Sequence, residues 1–237
     1  MGRLIINADD LGSSHGVNMG ILYAYKKGIV NSSSLIVTHP GFEEAVQLIS
    51  EHHLPNIGIH FNLTEGKSVL SGHSTITDSR GDFYRNIYEM NEVDFEEVMR
   101  ELAAQYEKAV GAGVAITHMD THHHLHMTLK FRKIFAEFSK THGLPLRKVH
   151  PSSRNPLKRL SLMLDMWGVN YYTDYFNADF YDQNATEGVL KGIINAYKGK
   201  SVEIMCHPGY SDIINGEYNE LREKELAILV SPKFNEQ

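Results

Sequence analysis

The chain has 237 residues, 42% of them hydrophobic and 22% charged, with a net charge of −6 and one cysteine. That is enough chain to bury a full core, and it is near the usual size of a (β/α) barrel. A single cysteine excludes an internal disulfide, an acidic balance without a Lys/Arg-rich stripe argues against nucleic acid or an anionic membrane as main partner, and no apolar run approaches the roughly 18 residues of a membrane span.

The opening, "MGRLIINADD", lacks a basic stretch followed by a long apolar one, so a cytoplasmic protein is expected. Arg3–Asn7 reads as the first strand. The turn after it, "NADDLGSSHG", carries carboxylates where a dinucleotide-binding turn would carry glycines, which disfavours a phosphate site. Val17, Ile21, Ala24 and Tyr25 form a helical stripe ending before Gly28. Ser34–Val37 and Ile57–Phe61 read as strands, and residues 66–93 as a long polar loop of the kind that is usually functional or mobile. Asp94–Val110 is the clearest helix: Asp94 and Glu97 suit a capping box, Phe95, Val98, Leu102, Tyr106 and Ala109 make its stripe, and Gly111 suits its end. Ala115–Met119 is a further strand. Phe131, Ile134, Phe135 and Phe138 mark a helix before Gly143, and Leu146–Val149, Tyr171–Thr173 and Val202–Cys206 complete about seven strands. Strands alternating with helices predict one domain over residues 1–237 with a parallel sheet, either open and doubly wound or closed as a barrel.

Four of these strands run into acid–base residues: "IINADD", "IGIHFNL", "VAITHMD" and "VEIMCHPG". In a parallel α/β barrel the carboxyl ends of the strands meet at one face, so groups scattered along the chain can converge. The segment "THMDTHHHLHM" holds five histidines in eleven residues. If extended, it would show His118, Asp120, His122, His124 and His126 on one face, with alternate residues about 6.6 Å apart. A single ion with bonds near 2.0–2.2 Å cannot gather them all. One or two are ligands at most, and Asp9, Asp10 and His60 are the best sources of the others. Each feature also has a plainer reading: a helix cap with a solvated acid for Asp9 and Asp10, a core or surface His60, a solvated or adventitious metal-binding tract at 118–126, and a polar turn at His207-Pro208-Gly209.

Together, "NADDLG", "GIVNSSSLIV", "IGIHFNLTEGK", "THMDTHHHLHM", "LR" at 146–147 and "EIMCHPG" resemble, in order over about 200 residues, the YdjC family of carbohydrate deacetylases, which includes chitooligosaccharide deacetylases. The resemblance implies a distorted (β/α) barrel of about seven parallel strands, polysaccharide-deacetylase-like, that removes an N-acetyl group from an amino-sugar oligosaccharide, free or phosphorylated. It implies a divalent metal on Asp10, His60 and His122, Asp9 as general base, His207 as general acid, and Arg147 beside Asp9 keeping that carboxylate ionised. It also implies magnesium and a homodimer, although mixed nitrogen and oxygen ligands suit zinc, nickel, cobalt or manganese. In this chemistry the metal polarises the amide carbonyl and acidifies water, and His207, near its ordinary pKa, protonates the leaving amine. Asp120 fits as acceptor for a ligand imidazole, His124 and His126 fit nearer the sugar, and Cys206 should face the core.

Two departures accompany the resemblance. The chain stops at "LVSPKFNEQ" where relatives run on, so barrel closure is expected to be incomplete or completed by a partner chain. The 66–93 loop matches poorly and is expected to set substrate choice. The rival readings are a non-haem iron oxygenase with a two-His-one-Asp site, against which the strand–helix alternation speaks, and a non-catalytic sugar- or metal-binding protein.

Overall fold

The computed structural model describes residues 2–87, 89–90, 92–150, 155–212 and 219–235. Its strands are β1 (Leu4–Leu11), β2 (Ser32–Leu35), β3 (Ile57–Phe61), β4 (Met119–Thr121), β5 (Tyr175–Asn177) and β6 (Val202–Cys206). They form one parallel sheet in the order β4-β3-β2-β1-β6-β5. Apart from Leu4, every residue of β1, β2, β3 and β6 is buried, as expected where crossover helices cover a parallel sheet. The helices are α1 (His15–Lys27), α2 (Phe42–His52), α3 (Phe95–Gly111), α4 (Arg132–His142), α5 (Pro156–Asp165), α6 (Glu187–Ala196), α7 (Asn219–Leu229) and the short α8 (Pro232–Asn235).

Among the described residues the architecture is a parallel α/β half-barrel of six strands, where a distorted barrel of about seven was expected. Leu146 makes only single parallel bridges, to Met119 and to Tyr171, and neither Leu146–Val149 nor Tyr171–Thr173 is a strand. The backbone there pairs at single points: the Arg147 amide donates to the Met119 carbonyl and the Tyr172 amide to the Leu146 carbonyl, both at 2.9 Å. The second strand lies two residues earlier than its apolar run, because its serines are satisfied inside the core. Ser33 Oγ donates to the Ala8 carbonyl at 2.5 Å, and Ser32 Oγ to that of Asn56 at 3.0 Å.

Helix α1 starts at Ser14, whose hydroxyl accepts from the Val17 amide, and it buries Val17, Ile21 and Ala24 against β1. Helix α3 is capped by Asp94, which accepts from the Glu97 amide at 2.7 Å. Glu97 does not complete the box. Its carboxylate instead accepts from the amides of Ser74, Thr75 and Ile76, while Glu101, one turn on, accepts from those of Val69 and Leu70. These two buried acids pin residues 69–76 of the long loop to α3. Helix α4 ends at Gly143 in the left-handed region (φ 64°), and its Phe135 and Phe138 pack with Phe61 of β3 and Phe131 in the core.

Candidate active site

Adjacent residues on a regular strand point to opposite faces. At the end of β1 the register shifts between Ala8 and Leu11, and Asp10 adopts a left-handed backbone (φ 72°). Both Asp9 and Asp10 therefore line one cleft. Gly12 closes the turn at φ 93°. A Cβ there would stand 2.5 Å from the Ile36 carbonyl oxygen, so only glycine fits.

Neighbouring strands then supply nitrogen. His60 of β3 lies in register with Asp120 of β4, and its Nδ1 is 2.7 Å from Asp120 Oδ1. A carboxylate only accepts, so Nδ1 carries a proton and, with a cation bound in place of the second proton, Nε2 presents its lone pair. That lone pair is 3.4 Å from Asp10 Oδ1 and 3.3 Å from His122 Nδ1, and His122 Nδ1 is 3.2 Å from Asp10 Oδ1. Asp10 Oδ1 is buried and accepts no hydrogen bond. Tetrahedral ligands at bonds of about 2.0–2.2 Å stand about 3.3–3.6 Å apart, so this donor set fits a divalent metal. The other oxygen of Asp10 is taken by Arg222 of α7 at 2.6 Å, which leaves one oxygen for a cation. Charge points the same way. Burial opposes it, yet the Asp120 and Asp10 carboxylates raise His60 to about 10, so the site favours a positive charge.

Beside this trio, Arg147 is fully buried among three carboxylates. It grips Asp9 with two nitrogens at 2.6 and 2.7 Å, and reaches Asp120 Oδ2 at 2.5 Å and Glu203 Oε1 of β6 at 2.7 Å. Burial pushes Asp9 up, but the guanidinium outweighs it and holds Asp9 below the ordinary carboxylate range. Burial raises Glu203 to about 7 despite Arg147. Asn7 and Ser34 complete the network: Asn7 Nδ2 donates to Asp9 Oδ1 at 2.8 Å, and Ser34 Oγ donates to Asp120 Oδ2 at 2.7 Å. A metal at Asp9, His60 and Asp120 would have to displace this guanidinium, so the Asp10 trio is the better cation site.

The histidine segment is not extended beyond Thr121. It enters a 3₁₀ turn over His122–Met127 in which His123 (φ 55°) and His124 (φ 52°) are left-handed. His122, His123 and His124 consequently face the cleft, but His126 does not. It is fully buried, with Nδ1 2.7 Å from Thr121 Oγ1, so its expected place near the sugar is corrected. His118 is also core, stacked on Tyr172 at 3.8 Å and held near 3 by burial. His207 follows β6, lines the cleft and packs edge-on to Tyr181 at 5.2 Å. Burial lowers it to about 4, which corrects the expectation of an ordinary pKa.

The cleft measures about 940 Å³, a usual size for a small-molecule site. Sequence reasoning missed four residues around it. Arg222 and Glu203 have no local signal, because a distant helix and the interior of a strand carry them. Glu65, inside "FNLTEGK", and Tyr181 also face the cleft. Gly66, Phe83 and Arg85 bring the 66–93 segment to its wall.

The parallel α/β sheet gathers at its strand ends one carboxylate and two imidazoles, a set compatible with a divalent metal, beside an arginine-held second carboxylate. The chain belongs to the YdjC-like protein family, which it matches over residues 3–237. It is 35% identical to carbohydrate deacetylase 1 of Listeria innocua, covering 97% of this chain and 91% of that protein. It is 34% identical to a carbohydrate deacetylase of Brevibacillus brevis, over 99% and 93%. Among solved structures, a protein described as a cellobiose-phosphate cleavage protein from Enterococcus faecalis superposes with a TM-score of 0.86 at 30% identity, over 99% of this chain and 93% of that one. A lactam utilization protein from Thermus thermophilus shares the fold, with a TM-score of 0.53 at 15% identity.

Proposed function

We propose that this protein is a carbohydrate deacetylase that hydrolyses the N-acetyl amide of amino-sugar oligosaccharides of the chitooligosaccharide type, free or phosphorylated. The observation that carries the reading is the convergence of Asp10 Oδ1, His60 Nε2 and His122 Nδ1 within 3.2–3.4 Å, beside the buried Asp9–Arg147 pair. A divalent metal held there would polarise the acetyl carbonyl and make bound water acidic. Asp9 takes the proton of the attacking water, with Arg147 keeping the carboxylate ionised until it does. The C–N bond breaks as the amine nitrogen receives that proton through His207. Because His207 is neutral at rest, it passes on the proton released by attack and does not bring one of its own. The acetic acid so formed then gives its remaining acidic proton to the free amine, so acetate and a protonated amine leave and atoms and charge balance. His124, which lines the cleft, faces the sugar. The nitrogen-rich donor set suits zinc, nickel, cobalt or manganese better than the magnesium implied by resemblance.

The test is acetate release from N-acetylglucosamine oligomers, free and 6-phosphorylated, by chelated protein and after each metal is returned. Asp9→Asn should keep bound metal and lower kcat by roughly 10²–10⁴. No acetate from any substrate with any metal, or an Asp9→Asn variant as fast as wild type, overturns the reading. A protein that only binds sugar or metal would have no rate to lose.

A further inference from the structure

Each imidazole of the trio has two nitrogens, and only one can face a cation. For His60 the outer nitrogen is Nδ1, fixed by Asp120. For His122 the ring is reversed: Nδ1 points inward, and Nε2 stands 3.4 Å from Glu65 Oε2. We propose that Glu65 is the positioning residue of His122, accepting the proton on Nε2 so that Nδ1 offers its lone pair to the cation. This rests on reading Asp10, His60 and His122 as the cation site, and nothing in the motif reading assigned Glu65 a role.

Glu65 is held in place for such a task. Asn62, fully buried, clamps its main chain: Oδ1 accepts from the Thr64 and Glu65 amides, both at 3.0 Å, and Nδ2 donates to the Glu65 carbonyl at 2.6 Å and to Thr38 Oγ1 at 2.8 Å. Gln105 of α3 fixes Asn62 in turn, accepting from its amide at 3.1 Å and donating to its carbonyl at 2.7 Å. The other charged neighbours of Glu65 are farther away, with Arg85 at 3.8 Å and His123 at 4.0 Å. One short piece of chain, residues 60–65, thus carries one ligand, a clamp, and the outer partner of the other imidazole ligand.

The experiment is zinc affinity by chelator competition for the full chain as wild type, Glu65→Ala and Glu65→Gln, with long-range ¹H–¹⁵N correlation spectra of the zinc-loaded wild type. Glu65→Ala should bind zinc about 10- to 100-fold more weakly, the usual effect of removing such a partner. Glu65→Gln, whose amide oxygen still accepts, should recover most of that loss. The spectra should show His122 bound through Nδ1 and protonated at Nε2. Equal affinity in wild type and Glu65→Ala, binding through Nε2, or a second zinc equivalent that disappears with Glu65 each overturn the proposal. A wild type that binds no zinc overturns the cation site itself, a result distinct from equal affinities.

Discussion

Arg147 shows what one side chain does in this protein. A guanidinium with no exposed surface faces three buried carboxylates, and its forked nitrogens suit two-point contact with Asp9 in a way a lysine could not. Removing one partner of a buried ion network leaves the others uncompensated. Arg147→Met should therefore lower unfolding free energy by roughly 3–5 kcal/mol, read from urea denaturation. A loss below about 1 kcal/mol would mean that the carboxylates hold protons and that the arginine is dispensable. His207→Asn belongs to the same scale: kcat should fall by about 10²–10⁴ with zinc affinity unchanged, since His207 lies outside the cation trio. The sequence showed Asp9, Asp10 and Arg147 by residue type and motif. It did not show the left-handed turn at Asp10, which brings both acids into one cleft, because an aspartate tolerates that backbone without advertising it.

Among the elements, α3 was the most legible, because its stripe and its Asp94 cap are local. Its acids were misread. Glu97 looked like the second half of a capping box, yet it serves a segment some twenty residues earlier in the chain. Glu97→Ala would leave three loop amides without their acceptor, at about 1–3 kcal/mol of local stability. We expect faster proteolysis within residues 66–93 and a raised KM with kcat nearly unchanged, because the loop walls the cleft without touching the cation trio; an unchanged cleavage pattern counts against the tether. The histidine segment failed as an element for the opposite reason. Alternation predicted one extended face, but Thr121 ends β4 and two left-handed residues turn the chain, so His122 and His126 go to different places. Gly58 of β3 shows how close the packing is there, since a Cβ would stand 2.4 Å from His118 Nε2.

For the whole molecule, pH dependence follows from burial. His124 and His207 are lowered to about 4, and His118 to about 3, chiefly by desolvation. The unfolded chain protonates these groups from about 6.5 downward and the folded chain does not, so folding loses stability as pH falls from about 6.5 to 4. Glu203 acts the other way. Raised to about 7, it keeps a proton that the unfolded chain has already lost, and its contribution disappears as pH rises from about 4.5 to 7. His39, His123 and His126 are lowered by burial as well, so six lowered histidines stand against the raised His60, His122 and Glu203 and set the sign: Tm of the metal-free protein should drop on acidification between pH 6.5 and 4.5, and a flat or rising Tm contradicts the burial of these rings. Metal should add to stability by mass action. Free zinc at 100 times its Kd should contribute about 2.7 kcal/mol, reversed by chelator, with a Tm shift on the order of 5–10 °C for a chain this long.

The sequence alone determined the strand–helix alternation, the parallel sheet, and most of the polar groups that line the cleft, because hydrophobic period and residue type are written locally. Tertiary structure alone decided how many strands pair, which nitrogen of His122 faces inward, that His126 goes to the core, and that Arg222, Glu203 and Glu65 join the site. These are settled by register, backbone turns and contacts between residues up to 212 positions apart, and the free energy of such contacts depends on burial and geometry that no stretch of chain contains by itself.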